Sequence, residues 1–242
     1  MLNFHVVTLF PELIESYCST SILGRGQTKG HFSLKTYNPR DFCQDKYRKV
    51  DDTPYGGGSG MLLKPEPIFA ALESMKLKAG SPVIFPSPHG RLLTQEMVKS
   101  FALETDIVII CGHYEGIDER IRSLVTDEFS LGDFVITGGE LPALTLIDAV
   151  GRLRPGVLGK ASSLADESFI DGLLEAPQYT KPAVFRDMEV PAILRSGDHQ
   201  AIAKWRREES LRITYERRPE LLEGASLSPQ DRQFLKGLGL KK

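Results

Sequence analysis

Residues 130–142 have the sequence Ser-Leu-Gly-Asp-Phe-Val-Ile-Thr-Gly-Gly-Glu-Leu-Pro, and the rest of the chain is organised around this stretch. The apolar run from Phe134 to Ile136 predicts a short strand, and an apolar segment of helical length follows Gly138 and Gly139. At such a strand, glycine turn and helix start the backbone can approach a ligand closely, because glycine has no Cβ atom. An ordinary turn of any α/β protein fits the stretch equally well.

The composition bounds the class of protein. The 242 residues carry a net charge of −2, and the three cysteines lie far apart without metal-ligand spacing. This pattern predicts reduced thiols in the cytoplasm and no bound metal. No apolar run approaches the ~20 residues that span a bilayer, so no membrane association is expected. From Asp198 onward 10 Lys and Arg face 7 Asp and Glu, which permits contact with RNA without establishing it.

Strands alternate with helices along most of the chain, which predicts an α/β fold with a mainly parallel sheet. The predicted strands are residues 3–10, 32–37, 82–85 and 107–111, and the predicted helices are 11–17, 65–74, 95–101 and 140–150. The last of these helices is expected to bury Leu141, Leu144, Ile147 and Val150 on one face. Residues 1–158 form the predicted α/β domain, 159–181 a linker, and 182–242 a small all-helical domain.

Loops rich in glycine or proline follow three predicted strands, after Phe85, Cys111 and Ile136. Ligands of open α/β sheets bind at the carboxyl ends of strands, so these loops are expected to form one pocket. A phosphate loop is absent, and Lys29 stands where a dinucleotide fingerprint needs its third glycine. The pocket therefore suits a small polar ligand with a flat ring rather than a phosphate group.

Two arginines and two carboxylates, Arg152, Arg154, Asp166 and Glu167, follow the last predicted helix of this domain. An arginine and an acid within reach of one substrate act as charge stabiliser and general base. Surface ion pairs are the commoner reason for such residues, and the residues alone leave both interpretations open.

A resemblance to a known family rests on motifs at residues 54–58, 112–120, 132–143, 168–180 and 218–222. Through them the chain resembles the bacterial tRNA (guanine-N1)-methyltransferases, with the motifs in the same order over nearly the whole length. The resemblance implies a SPOUT-type parallel-sheet domain with a deep trefoil knot. It also implies S-adenosyl-L-methionine as the methyl donor and guanosine 37 in the tRNA anticodon stem-loop as the substrate. A homodimer is implied as well, in which each site is completed by the partner subunit.

The resemblance also implies the site residues. The donor is expected to contact Ser87, Pro88, Gly112, Tyr114, Glu115, Leu131, Gly132, Asp133, Phe134, Val135, Ile136 and Gly138. Arg152 matches the catalytic arginine that faces guanine O6. The family commonly has an aspartate as the base where this chain has Glu167, so either Glu167 or the preceding Asp166 takes that role.

The same resemblance assigns roles in tRNA binding. Residues 159–181 are expected to close as a lid when tRNA binds. The 46–60 loop and the helix carrying Lys204, Arg206 and Arg207 are expected to contact tRNA phosphates. The alternative is a catalytically silent RNA-binding protein on the same scaffold.

Overall fold

The computed structural model describes residues 1–158 and 167–239, and the chain divides into two compact units between Gly159 and Lys160. The strands of the first unit are β1 (Leu2–Val7), β2 (Phe32–Tyr37), β3 (Asp51–Asp52), β4 (Leu62–Leu63), β5 (Val83–Leu92), β6 (Asp106–Ile110) and β7 (Asp127–Ser130). Its helices are α1 (Pro11–Cys18), α2 (Ser21–Thr28), α3 (Pro65–Glu73), α4 (Gln95–Phe101) and α5 (Glu140–Gly151), with 3-10 turns at Pro39–Phe42 and Glu119–Leu124.

The first unit is built on a five-stranded parallel sheet with the order β2-β1-β6-β5-β7. Its central strand, β6, is buried along its whole length, as its β-branched sequence predicts. Successive side chains point to opposite faces, so Ile107 and Ile109 join the core under α1, α4 and α5, whereas Val108 and Ile110 join the core under α3. The predicted parallel α/β architecture is confirmed, and the trefoil knot stays a prediction.

Local signals set the helix boundaries where the sequence predicts them. Pro11 occupies the first position of α1, where its missing N–H leaves no intrahelical bond unmade. Thr94 caps α4 by accepting a hydrogen bond from the backbone N–H of Met97 at 3.4 Å. The short helix α2 was not predicted, because Gly24 and Gly26 lie within it.

Several sequence-based expectations in the first unit are wrong. Residues 134–136 form no strand: β7 ends at Ser130, and Val135 is 94% exposed in the irregular loop that follows. Among the residues that the structure describes, no strand pairs with this apolar run. On α5 the predicted face is buried except at Leu141, which is 57% exposed. The strand predicted over residues 3–10 ends at Val7.

The second unit is mainly helical, with β8 (Val184–Phe185), β9 (Met188–Glu189), α6 (His199–Arg217) and α7 (Pro229–Gly237), and 3-10 turns at Ala192–Arg195 and Pro219–Glu223. Its core joins Leu173, Leu211, Leu222 and Leu235. The backbone N–H of Leu174 donates to Thr214 Oγ1 at 2.9 Å, so this part of the predicted linker is built into the second unit. Residues 159–166 lie outside the described residues. None of the described helices is both long and apolar enough to cross a membrane.

Candidate functional site

A cavity of about 450 Å³ lies in the first unit, at the carboxyl edge of its sheet. It is lined by residues 85–89, which lie within β5, and by the loops after β6 and β7. The three predicted segments meet at one cavity, but two of the predicted strand ends are wrong: β5 continues past Phe85 to Leu92, and β7 ends at Ser130. Of the residues predicted to contact a methyl donor, Asp133 alone is absent from the lining, and its side chain is exposed to solvent. Ser87 lines it from β5, Gly112 and Glu115 from the loop after β6, and Leu131 from the loop after β7.

The glycine pair Gly138 and Gly139 serves close packing of two loops. A Cβ atom on Gly139 would lie 2.8 Å from Cys111 Cα and from Gly112 N, which is closer than real contacts allow. The backbone N–H of Gly139 donates to the carbonyl of Gly112 at 2.8 Å. The glycines therefore let the start of α5 dock on the turn after β6, and Gly138 also lies close to the side chains of Glu140 and His113.

Glu115 is held at the cavity wall by a neighbouring loop. Its backbone N–H donates to the carbonyl of Met61 at 3.1 Å, and its side chain lies against Gly60, where a Cβ atom would clash with it. Leu63 pairs with Ile117 in an isolated parallel bridge, and Leu62 lines the cavity. Leu62, just after the 46–60 loop, is thus part of the site, and the Glu115 side chain remains exposed beside it.

An ion pair that sequence reasoning missed braces the opposite wall. Arg122 donates to the Glu128 carboxylate, contacts His89 Nδ1 at 3.0 Å, and stacks over the Phe85 ring at 5.4 Å. Ser87 Oγ donates to the same carboxylate. Partial burial alone would raise the pKa of Glu128, but the hydrogen bonds from Arg122 and Ser87 outweigh it and hold the pKa below its usual value. No local sequence signal joins residues on β5, β7 and a 3-10 turn.

Two polar groups are buried behind the cavity. Glu140, at the first position of α5, accepts a hydrogen bond from Thr8 Oγ1 at 2.9 Å. A carboxylate there is favoured by the positive end of the helix dipole. His113 packs edge-on against Phe10 and Tyr114, and its buried Nδ1 has no hydrogen-bond partner among the described residues. Although other atoms of His113 line the cavity, this nitrogen is itself shielded from solvent.

Arg152 does not lie at the cavity of its own chain. It caps the carboxyl end of α5, whereas the amino end of α5 forms the cavity wall. The twelve residues of α5 span about 18 Å at ~1.5 Å per residue. Gly151, the last of them, approaches the ring of Phe32, the first residue of β2, so Arg152 lies toward the amino edge of the sheet. The arginine and the cavity are thus at opposite edges within one chain.

The two predicted bases have different outcomes. Asp166 lies outside the described residues. Glu167 lies in the second unit, where it lines one part of a cleft of about 1070 Å³. The loop that begins at Glu167 is closed by a hydrogen bond from the Phe169 N–H to the Leu173 carbonyl at 2.8 Å. Glu167 is therefore placed by a defined turn of the second unit.

The basic residues of α6 are not equivalent. Arg207 bonds to the carboxylates of Asp171 and Asp231, so it contributes to the internal structure of the unit. Lys204 lies 3.8 Å from Glu208, and because this ion pair is exposed to solvent it neutralises little of the charge of Lys204. Arg206 is exposed and makes no ion pair with any described residue. No cluster of histidine, cysteine or acidic side chains in the described ranges is arranged to hold a metal ion.

Comparison with known proteins gives a consistent result. Residues 2–224 match the family model described as "tRNA (Guanine-1)-methyltransferase TrmD". A tRNA (guanine-N(1)-)-methyltransferase of Dictyoglomus turgidum is 52% identical over 97% of this chain and 96% of its own length. Proteins with the same name from Caldanaerobacter subterraneus (50% identical, 98% of each chain) and a Synechococcus strain (54% identical, 89% of this chain and 92% of the relative) are similar over almost the same span.

Proposed function

The chain belongs to the family of tRNA (guanine-1)-methyltransferases, which are SPOUT-class enzymes, and we propose that it transfers a methyl group from S-adenosylmethionine to N1 of guanosine 37 in tRNA. The observation that carries this proposal is the cavity where β5 and the loops after β6 and β7 meet. Its walls combine an exposed carboxylate, apolar side chains and many backbone polar groups. Because tRNA is its substrate, the cytoplasm is the proposed compartment.

The residues of the cavity fit S-adenosylmethionine. The volume of about 450 Å³ lies within the ~300–1,000 Å³ typical of small-molecule sites. Glu115 offers a negative charge to a cationic ligand, and Phe85 and Leu131 offer apolar walls. Backbone groups of the loops after β6 and β7 would bind the edges of the adenine ring. The donor, when bound, supplies an electrophilic methyl group carried by a positively charged sulfur.

The proposed roles of the protein residues follow from the chemistry of guanine. Its N1 carries a proton, which the carboxylate of Glu167 accepts as general base, with Asp166 as the alternative. Loss of this proton leaves negative charge that is shared with O6 of the ring. The guanidinium of Arg152 stabilises that charge by donating hydrogen bonds to O6.

A homodimer would bring Arg152 to a cavity. Leu141, Thr145, Asp148 and Arg152 recur at helical spacing along α5, and none of these side chains is fully buried. In an antiparallel pair of α5 helices across a two-fold axis, Leu141 of one chain lies near Arg152 of the other. The neighbouring helix α1 and the residue before it add exposed Phe10, Leu13 and Tyr17 to this face. The partner's Arg152 would then approach the cavity from which this chain's own Arg152 is separated by the length of α5.

For tRNA binding we propose the surfaces that remain exposed. Tyr55 is fully exposed in the 46–60 loop, and Arg206 is exposed on α6. Both types of side chain suit an RNA loop, tyrosine by stacking on bases and arginine by contacting phosphates. The segment 159–181 is proposed to act as the lid over the substrate.

Methyl transfer to two tRNA transcripts tests the function. A transcript with guanosine at position 37 is compared with the same transcript carrying adenosine there, each with radiolabelled S-adenosylmethionine. Transfer to the guanosine transcript alone, with the methyl group on N1, is the expected result. Binding of tRNA without transfer would support the catalytically silent protein, and transfer to both transcripts would refute the assigned substrate.

The two candidate bases are separated by matched variants. Glu167→Gln and Asp166→Asn each remove one charge while keeping the shape of the side chain. We expect Glu167→Gln to lower kcat by about 10²–10⁴-fold with an unchanged Kd for the donor, and Asp166→Asn to have a small effect. The opposite pattern would assign the base to Asp166, and two near-normal variants would exclude both.

A further inference from the structure

The large cleft of the second unit has an apolar floor. Its lining includes Leu174, Pro177, Val190, Leu194 and Ile202, contributed by the segment after Glu167, the segment before α6, and α6 itself. The cleft is open to solvent and lies entirely within residues of one unit. An open apolar cleft of about 1070 Å³ is large enough for a planar aromatic ligand with its neighbouring groups.

An aromatic side chain stands at this cleft. Tyr179 lines it with 49% of the residue exposed, and its ring centroid lies 6.5 Å from that of Trp205, with the two planes inclined at 52°. Trp205 is not part of the lining, so it supports the tyrosine from outside the cleft. A ring that is packed against a second aromatic and still half exposed is suited to stacking on a flat ligand.

Two positive charges at the same cleft remain available. Of the basic residues in the lining, Arg207 is engaged by two aspartates, and Arg195 lies 4.0 Å from Glu189. Lys181 and Arg206 form no ion pair or hydrogen bond with any residue in the described ranges. An aromatic platform with unpaired cations beside it is the arrangement that binds single-stranded nucleic acid by base stacking and phosphate contact.

We propose that this cleft binds one unstacked nucleotide of the anticodon loop, with Tyr179 as the stacking partner and with Arg206 and Lys181 at its phosphates. The proposal rests on the proposed function, because a tRNA substrate is what brings an RNA loop to this unit. Glu167, the proposed general base for guanosine 37, lines the same cleft. The stacked nucleotide is therefore a loop nucleotide other than 37, and it is held in the cleft while N1 of guanosine 37 meets Glu167. The cleft thus contributes to the choice and orientation of the tRNA.

The test uses the full-length protein and a fluorescently labelled anticodon stem-loop RNA at fixed salt. Removal of a stacking ring weakens binding of RNA by about 10-fold or more, so Tyr179→Ala and Tyr179→Leu should do so, whereas Tyr179→Phe should bind almost normally. Arg206→Gln should reduce the slope of log Kd against log salt concentration by about 1, the change expected when one phosphate contact is lost. Arg232→Gln, which removes an exposed arginine of α7 outside the cleft, is the charge-matched control.

Abasic substitution at each loop position identifies the nucleotide. One position other than 37 should weaken binding to the unsubstituted protein about as much as Tyr179→Ala does, and the two changes together should cost no more than either alone. Normal binding by folded Tyr179→Ala and Tyr179→Leu, or strictly additive losses at every position, would overturn the proposal. Methyl transfer by the unsubstituted protein is measured in parallel: its absence would refute the proposed function, whereas its presence with normal binding by the variants would refute only the role of the cleft.

Discussion

The position of Arg152 leads to a prediction about which subunit supplies it. The cavity and Arg152 lie at opposite ends of α5, about 18 Å apart along the helix axis, which is far more than an arginine side chain spans. If Arg152 acts on substrate at the cavity, it must act on the cavity of the partner. We therefore expect two inactive variants to complement each other. Arg152→Ala removes the guanidinium, and Gly112→Val fills the cavity beside the Phe85 ring, which a Cβ atom alone would approach to 3.1 Å.

The assay uses heterodimers purified by two different affinity tags after co-expression. A heterodimer of Arg152→Ala with Gly112→Val retains one native cavity facing one native arginine, so about half of the native methyl-transfer rate should return. A heterodimer of the native chain with the doubly substituted chain should be inactive, because its only native cavity faces an alanine. If Arg152 instead acted within its own chain, the first heterodimer would be inactive and the second half-active. That result would refute the argument from the length of α5.

Three further predictions concern stability and reactivity. Gly139→Ala should cost about 2–4 kcal/mol of unfolding free energy, because its Cβ would meet backbone atoms at 2.8 Å and break a backbone hydrogen bond. Gly30→Ala is the control: its Cβ would enter open space, and it should cost about 1 kcal/mol because the φ angle of Gly30 is positive. Equal losses of stability in a denaturant titration would contradict this difference. Burial alone would raise the pKa of Asp231, but hydrogen bonds from Arg207 and from the helix cap at Ser228 lower it. The carboxylate therefore stabilises the second unit above about pH 4 and loses this effect as the pH falls. Asp231→Asn should lower the free energy of unfolding by about 1–3 kcal/mol at pH 7 and flatten the acid unfolding profile, and an unchanged profile would refute the role. Burial and the neighbouring Asp148 raise the pKa of Cys18 to about 12. In the native protein, iodoacetamide should therefore alkylate the partly exposed Cys43 much faster than Cys18, as measured by peptide mass spectrometry, and equal rates would contradict the burial of Cys18.

The sequence predicts the regular elements well because their signals are local. The β-branched run of β6 is recognisable without its neighbours, and helix starts are marked locally by a proline at the first helical position of α1 or by the capping threonine of α4. The run from Phe134 to Ile136 has the same local character and yet forms no strand. Strand formation requires a neighbour for backbone pairing, and that neighbour is decided by the fold as a whole.

In the candidate site, too, local features are predictable from the sequence and contacts between distant segments are not. Strand-end loops are recognisable from their glycines, and the rule that ligands bind at carboxyl edges brings them together without any knowledge of side chains. The brace formed by Arg122, Glu128 and Ser87 joins three separate segments and has no sequence signature. Likewise, Arg207 is engaged by Asp171 and Asp231, so the proposed RNA-binding surface lacks a charge that the sequence alone counts as available.

Adjacency along the chain is also misleading for Arg152, the proposed catalytic arginine. Arg152 follows the cavity glycines by fewer than twenty residues, and the sequence therefore suggests one compact site. A helix of twelve residues converts that nearness into a separation of about 18 Å. The same helix presents a partly exposed stripe from Leu141 to Arg152. In the proposed homodimer, an antiparallel copy of this stripe would place Arg152 of one chain near the cavity of the other. If the proposed dimer forms, the helix that separates Arg152 from the cavity within one chain would be the element that brings them together between two chains.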